Sequence, residues 1–261
     1  MRIMKKAALM MCAAFVALAT IGCEKEPKPT PEPGPDPVDP AKPLVEGTFE
    51  VKVDDLTADS VTITITPSEE VDYFYACLAS DTKKYLGGED EVIVMDQLGS
   101  PNAENMIFRG EQSLTFSGLI GHSHYRLLYF QYDSEKKRIF GDLHRSERIT
   151  TPDGEESIGL EVSDVTGLSA NFTITPEDKE ATYYFWLDEV SDYEESFEDS
   201  DNVLIQHDFA FWQYAASLYE GTDWKEIMRQ DLRSGDLEET SDNLYNVLEW
   251  DVEYMAYAYG I

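Results

Sequence analysis

The sequence predicts a mostly β protein of two tandem β-sandwiches, each carrying a partly helical insert, behind a leader and a proline-rich stalk. Three observations carry this expectation: an internal repeat that aligns without a gap, apolar residues at every second position in both copies, and a leucine–turn–tyrosine spacing late in each copy. The expected divisions are 1–22 (leader), 23–46 (stalk), 47–152 (first sandwich) and 153–261 (second sandwich, with its insert at about 200–235).

Residues 1–22 open with Lys5 and Lys6, continue through an apolar run from Ala7, and end in small residues before a cysteine. Basic start, short apolar centre and small-residue end are the three parts of a secretory signal. The apolar run falls short of the roughly 20 residues that a membrane-spanning helix needs. Leu18-Ala-Thr-Ile-Gly-Cys23 resembles the lipobox of lipoprotein signal peptides. That resemblance implies that the Cys23 thiol receives a diacylglycerol and becomes the first mature residue, anchored to a membrane through lipid. Cys12 would leave with the leader, so Cys77 alone remains as a thiol and no disulfide framework is expected.

From Glu24 to Pro40 proline stands at nearly every second position. Proline fixes φ and removes a backbone donor, so this stretch is expected to be an extended spacer of polyproline II character, about 50 Å long at about 3.1 Å per residue. The mixed charges after Cys23 resemble the surface-export signal of Bacteroides-type lipoproteins. Its implication is an outer-membrane protein facing the cell exterior.

The formal net charge is −32. Loss of the leader would remove Arg2, Lys5 and Lys6 and no acid, which deepens the imbalance. So acidic a body repels nucleic acid and anionic headgroups, and neither is an expected partner.

Residues 49–67 align without a gap on residues 158–176. Phe49, Val51, Val53, Val61, Ile63 and Ile65 alternate in the first copy; Ile158, Leu160, Val162, Phe172 and Ile174 alternate in the second. Period two means strands with one buried face. A third strand is expected at residues 73–78 and again at 183–187. Phe116-Ser-Gly-Leu119 matches Tyr245-Asn-Val-Leu248, and each leucine precedes a tyrosine by six residues, Tyr125 and Tyr254. That spacing is the one of a tyrosine corner, whose hydroxyl bonds back to the turn while its ring fills the sandwich edge. Each copy resembles a fibronectin type III or immunoglobulin-like module, and the tandem resembles the Bacteroides-type surface lipoproteins that carry them.

Between third strand and corner each copy carries extra sequence. In the first, residues 89–98 predict a short helix between Gly88 and Gly99. In the second, residues 201–219 predict a longer helix, started at Ser200 or Asp201, with Leu204, Phe211, Ala215 and Leu218 as its apolar stripe. A further helix is expected over 222–232. The second copy aligns with the first only as far as its tyrosine strand, about 20 residues short of the repeat, so residues 254–259 are expected to present an open, apolar strand edge.

Candidate functional residues are few. All four tryptophans lie in the second copy, and Trp212, Trp224 and Trp250 are the possible ligand surface, for a protein or a glycan; core packing is the competing expectation for Trp186, Trp212 and Trp224. His122 and His124 stand two apart without a third ligand in view, and the acids from Asp188 to Asp201 lack the Asp-x-Asp-x-Asp-Gly pattern of a calcium loop and are expected to be a solvated loop. No metal or cofactor is expected. Asp59-Ser60-Val61 resembles a periplasmic O-glycosylation motif, which marks Ser60 as a possible modification site or simply a turn residue. No His-Glu-x-x-His, Gly-x-Ser-x-Gly or phosphate-cradling loop occurs. The expected function is non-enzymatic: a lipid-anchored surface protein that binds a ligand or acts as a structural spacer. The alternative is a glycan-capture component of a polysaccharide-uptake system, or an accessory to a hydrolase.

Overall fold

The computed structural model describes residues 3–8 and 44–261, apart from 155–156, 220 and 245–247. Cys23 and the proline stalk lie outside the described residues, as do Tyr245 and most of the leader.

Ile3–Ala8 is a strand, β1. The first half then contains β2 (Phe49–Leu56), β3 (Ser60–Pro67), β4 (Phe74–Ser80), α1 (Lys83–Leu86), α2 (Asp90–Leu98), β5 (Ile107–Phe108), β6 (Gln112–Ser117), β7 (His124–Asp133), β8 (Arg138–Arg145) and β9 (Ile149–Thr150). The second half contains β10 (Ile158–Ser163), β11 (Asn171–Pro176), β12 (Thr182–Glu189), α3 (Val190–Glu195), α4 (Asp201–Ser217), α5 (Trp224–Asp231), β13 (Arg233–Ser234), β14 (Leu237–Thr240) and β15 (Tyr254–Gly260).

The two halves repeat one strand plan. β2-β3-β6 forms one sheet of the first half, and β5-β4-β7-β8 with β9 beside β7 forms the other. In the second half the sheets are β10-β11-β14 and β1-β15-β12-β13. The chain is therefore mostly β and sandwich-like, its neighbouring strands antiparallel except β1. Alternation explains the inner faces: Val61, Ile63 and Ile65 of β3 point onto Phe74, Ala76, Tyr125 and Leu127, and Ile158, Phe172 and Ile174 meet Phe185, Leu187 and Ala256. The turn before each second strand is clasped alike. The Ser60 amide donates to Thr57 Oγ1 (3.0 Å), and the Ser169 amide to Thr166 Oγ1 (2.9 Å). Ser60 is a residue of that turn, and its hydroxyl also bonds Thr57 Oγ1 (2.8 Å).

The other faces of β4, β7, β12 and β15 are covered by helices, which adds a third layer to each half. α2 places Ile93 and Val94 against Tyr75, Cys77, Leu128 and Phe130. Burial pushes the Cys77 thiol up to about 12, so it stays protonated. In the second half α3, α4 and α5 cover Tyr184, Met255, Tyr257 and Tyr259. β15 is buried along its whole length for this reason, and an alternating pattern is not to be read in it.

With residues 3–8 present the edge of residues 254–259, expected to be open, is paired: β1 runs parallel to it in register from Ile3 beside Tyr254 to Ala8 beside Tyr259. In the first half the corresponding edge of β7 pairs antiparallel with β8 and β9. The expected solvated loop at 188–201 is also corrected. Val190, Tyr193 and Phe197 are buried at spacings of three and four; α3 forms over the first two, and Phe197 lies just beyond its end. The helical spacing was present in the sequence but masked by the acids between.

Candidate functional site

α4 determines what the second half shows to solvent. Its buried side runs Leu204, Ile205, Asp208, Trp212 and Ala216, spaced for one helical face. The expected stripe of Leu204, Phe211, Ala215 and Leu218 is corrected accordingly. Only Leu204 packs inward, while Phe211 (55% exposed), Tyr214 (64%) and Leu218 (62%) form an outward stripe at i, i+3 and i+7. A helix with apolar residues on both sides offers periodicity two solutions, and the aromatic sheet surface beneath selects the one that carries Trp212.

Trp212 is corrected as a ligand residue: it is wholly buried, meets Tyr184 edge-on at 5.0 Å between ring centres, and donates its indole N–H to Asp231 (2.8 Å). Trp224 is half-buried and packs edge-on to Phe209 at the start of α5, whose cap is the Asp223 carboxylate accepting from the Lys225 amide (3.1 Å). Trp250 is 72% exposed and rests one ring face on Gly167. A side chain at 167 would place Cβ 2.4 Å from that ring, so this approach requires glycine. Trp212 and Trp224 both pack edge-on to Phe209, whereas Trp250 at Gly167 does not join them. Trp224 also lines an open cleft of about 530 Å³ between the end of α4 and the start of α5, with Tyr219, Gln213, Ser217, Thr222 and Asp223.

The tyrosine corners are built identically. The Ile120 amide donates to the Tyr125 hydroxyl (3.0 Å) and the Glu249 amide to the Tyr254 hydroxyl (3.1 Å), each five residues back. Both rings are buried.

A second concavity of about 420 Å³ lies between α3, α4 and the first half, lined by Thr82, Asp188, Asp192, Phe197, Glu198 and His207 among others. Beneath it two carboxyls approach one hydroxyl. The Tyr257 hydroxyl lies 3.3 Å from Asp188 Oδ2 and 3.3 Å from both oxygens of Asp208, and Tyr259 donates to Asp208 Oδ2 (2.9 Å). Desolvation raises Asp208 to about 8, with the Asp188 charge adding to it against the tyrosine hydrogen bonds. Desolvation likewise raises Asp188 to about 6. Burial also drives the Tyr184 and Tyr257 hydroxyls above their ordinary value, so both remain protonated donors.

The halves meet through Ile120, which packs on the helix-side cluster of the second half, and through polar groups. The Asn202 amide N–H donates to Ser123 Oγ (2.9 Å), and the Asn202 side chain donates to Ser80 Oγ (2.9 Å), all three residues buried. The Asp201 amide donates to the His122 carbonyl (3.0 Å), and the Lys83 amide to the Glu198 carboxylate (2.9 Å). His122 lies between Asp153 (2.9 Å) and Asp199 (3.4 Å), and His124 pairs with Thr150 (3.0 Å). Among the described residues no group of three or more His, Cys, Asp or Glu is placed to hold a metal ion, and no helix is long and apolar enough to cross a membrane.

Comparison of the sequence with models of known protein families and with curated proteins finds no match to either.

Proposed function

We propose that the protein is a lipid-anchored cell-surface binding protein without catalytic activity, whose ligand face is carried by α4, α5 and the loop between them. The observation that carries this reading is the outward stripe of Phe211, Tyr214 and Leu218 on a helix that already fills its core position with Trp212. Folding does not require three large apolar groups in water, and a contiguous apolar stripe of this kind is what a binding surface presents. The lipobox-like run ending in Cys23 and the proline spacer after it supply the anchor and the reach. The carboxyl pair does not argue for hydrolysis: Asp208 is 6% exposed and hydrogen-bonded to tyrosine hydroxyls beneath a helix. Anchoring is tested by Cys23→Ser, which should move the protein from the membrane to the soluble fraction without altering its melting. Persistence in the membrane fraction would refute the lipid anchor.

A second reading, capture of a neutral glycan, is favoured by the cleft beside the stripe. Tyr219 and Trp224 offer ring faces on which a sugar can stack, Gln213, Ser217 and Thr222 offer neutral hydrogen-bonding groups, and the net charge disfavours anionic polymers. Retardation of migration in gels containing neutral polysaccharide, lost on Trp224→Ala, would select it over a protein ligand.

A further inference from the structure

The Tyr257 hydroxyl carries one proton and faces two carboxyls, at 3.3 Å from Asp188 and 3.3 Å from Asp208. It can donate to one of them only. If both carboxyls were ionised, one carboxylate oxygen would lie against the lone pairs of the tyrosine oxygen with no proton between them. The remaining hydroxyl, that of Tyr259, is directed at Asp208 Oδ2. Among the described residues no ion pair includes Asp188 or Asp208. The arrangement closes if Asp208 keeps a proton and donates it to Tyr257, which donates in turn to Asp188, while Tyr259 donates to the other Asp208 oxygen.

We propose that Asp188, Tyr257 and Asp208 form a one-proton latch that holds α4, and with it the outward stripe of Phe211, Tyr214 and Leu218, against the β12–β15 sheet. The latch joins helix to sheet because Asp208 belongs to α4, Asp188 to β12 and Tyr257 to β15. Lys6 of β1 is the backbone register partner of Tyr257, and the described side chains that face the latch are mostly acidic or phenolic. They are Tyr184 and Glu189 of β12, Asp192 of α3, Tyr259 of β15 and Asp231 at the end of α5, with Arg233 acting on Tyr184 from β13 and His207 turned aside onto Phe197 (4.9 Å). Opening of α4 transfers Asp208 to water, where a carboxyl ionises near pH 4, and the latch proton goes to solvent. The closed form binds that proton more tightly than the open form, so closure is most stable in acid and weakens as pH rises through the folded-state values. The Asp188 contribution is lost by about pH 6 and that of Asp208 by about pH 8.

Hydrogen exchange of the α4 amides in the full chain, corrected for the intrinsic rate, tests the latch against Asp208→Asn. Asparagine reproduces the protonated carboxyl, with a donor for Tyr257 and an acceptor for Tyr259. The ratio of wild-type to variant opening constants should rise about ten-fold per pH unit between pH 6 and 8, the slope of one proton, and become flat above about pH 8. Asp188→Asn removes the neighbouring charge and should move that break to lower pH. A ratio independent of pH, or a break unmoved by Asp188→Asn, overturns the proposal. Carbon NMR of the wild-type carboxyls is independent of whether the variants fold. Titration of Asp208 near neutral pH or above supports the latch, and titration near pH 4 overturns it.

Discussion

Tyr125 and Tyr254 stand at equivalent positions, five residues after the amides of Ile120 and Glu249 that their hydroxyls accept. Each hydroxyl closes a turn whose backbone would otherwise lack a partner. Tyr125→Phe and Tyr254→Phe should therefore each cost about 1 kcal/mol in urea unfolding, the net worth of one such hydrogen bond, without changing the fold. Trp212→Ala should cost about 3–5 kcal/mol, because it empties a buried indole site and strands Asp231. The corners were legible in the sequence because leucine, turn and tyrosine are local and recur. Trp212 was not legible as core rather than ligand residue, because its neighbours Tyr184 and Asp231 are 28 and 19 residues away and only the folded sheet brings them together. The Asp188–Tyr257–Asp208 contact is equally invisible locally, since the three residues come from three elements and the acids resemble any others in a chain with 52.

Among elements, the strands with one buried face declared themselves. β3, β10 and β11 alternate because water lies on one side, whereas β2 alternates only through Val51: its register shifts between Val53 and Asp55, and Val53, expected to face inward, is exposed. β15 does not alternate, being covered on one face by the sandwich core and on the other by the helical layer that carries Trp212. α4 was legible as a helix but not in orientation, for its two apolar sides are equivalent until the aromatic surface of β12 and β15 is available to receive one. Truncation of Leu204, which packs inward, should cost about 2–5 kcal/mol in unfolding free energy. The β15 edge is a second consequence at this scale. Its backbone pairs with residues 3–8, so a chain lacking residues 1–22 leaves the outer groups of residues 254–259 unpaired. Such a chain should self-associate on size-exclusion chromatography, and appending a copy of residues 140–152 as a closing strand should suppress this. A stable monomer without the added strand would show that the edge is protected by other means.

At the scale of the molecule, the turn-like residues 151–154 suggest a simple hinge between independent halves, yet the elbow at residues 198–202 reaches back into the first half. This contact is polar and buried, and nothing in the sequence signals it, because Ser80, Ser123 and Asn202 are ordinary residues until they meet. Asn202→Ala leaves the buried Ser80 hydroxyl without its donor. It should destabilise the protein by about 1–3 kcal/mol and separate the melting of the two halves in calorimetry. A single unchanged transition would show that other contacts hold the halves together.

The proposed binding function requires the α4 stripe to be a ligand surface rather than misplaced core. The most direct measurement compares the wild-type chain with the triple variant Phe211→Ser, Tyr214→Ser, Leu218→Ser on an array of glycans and proteins, with thermal melting recorded for both. The wild type should bind a specific ligand, and the variant should lose that signal while its melting is unchanged or slightly higher. Equal binding by both chains, or collapse of the variant's melting transition, would contradict the proposed function.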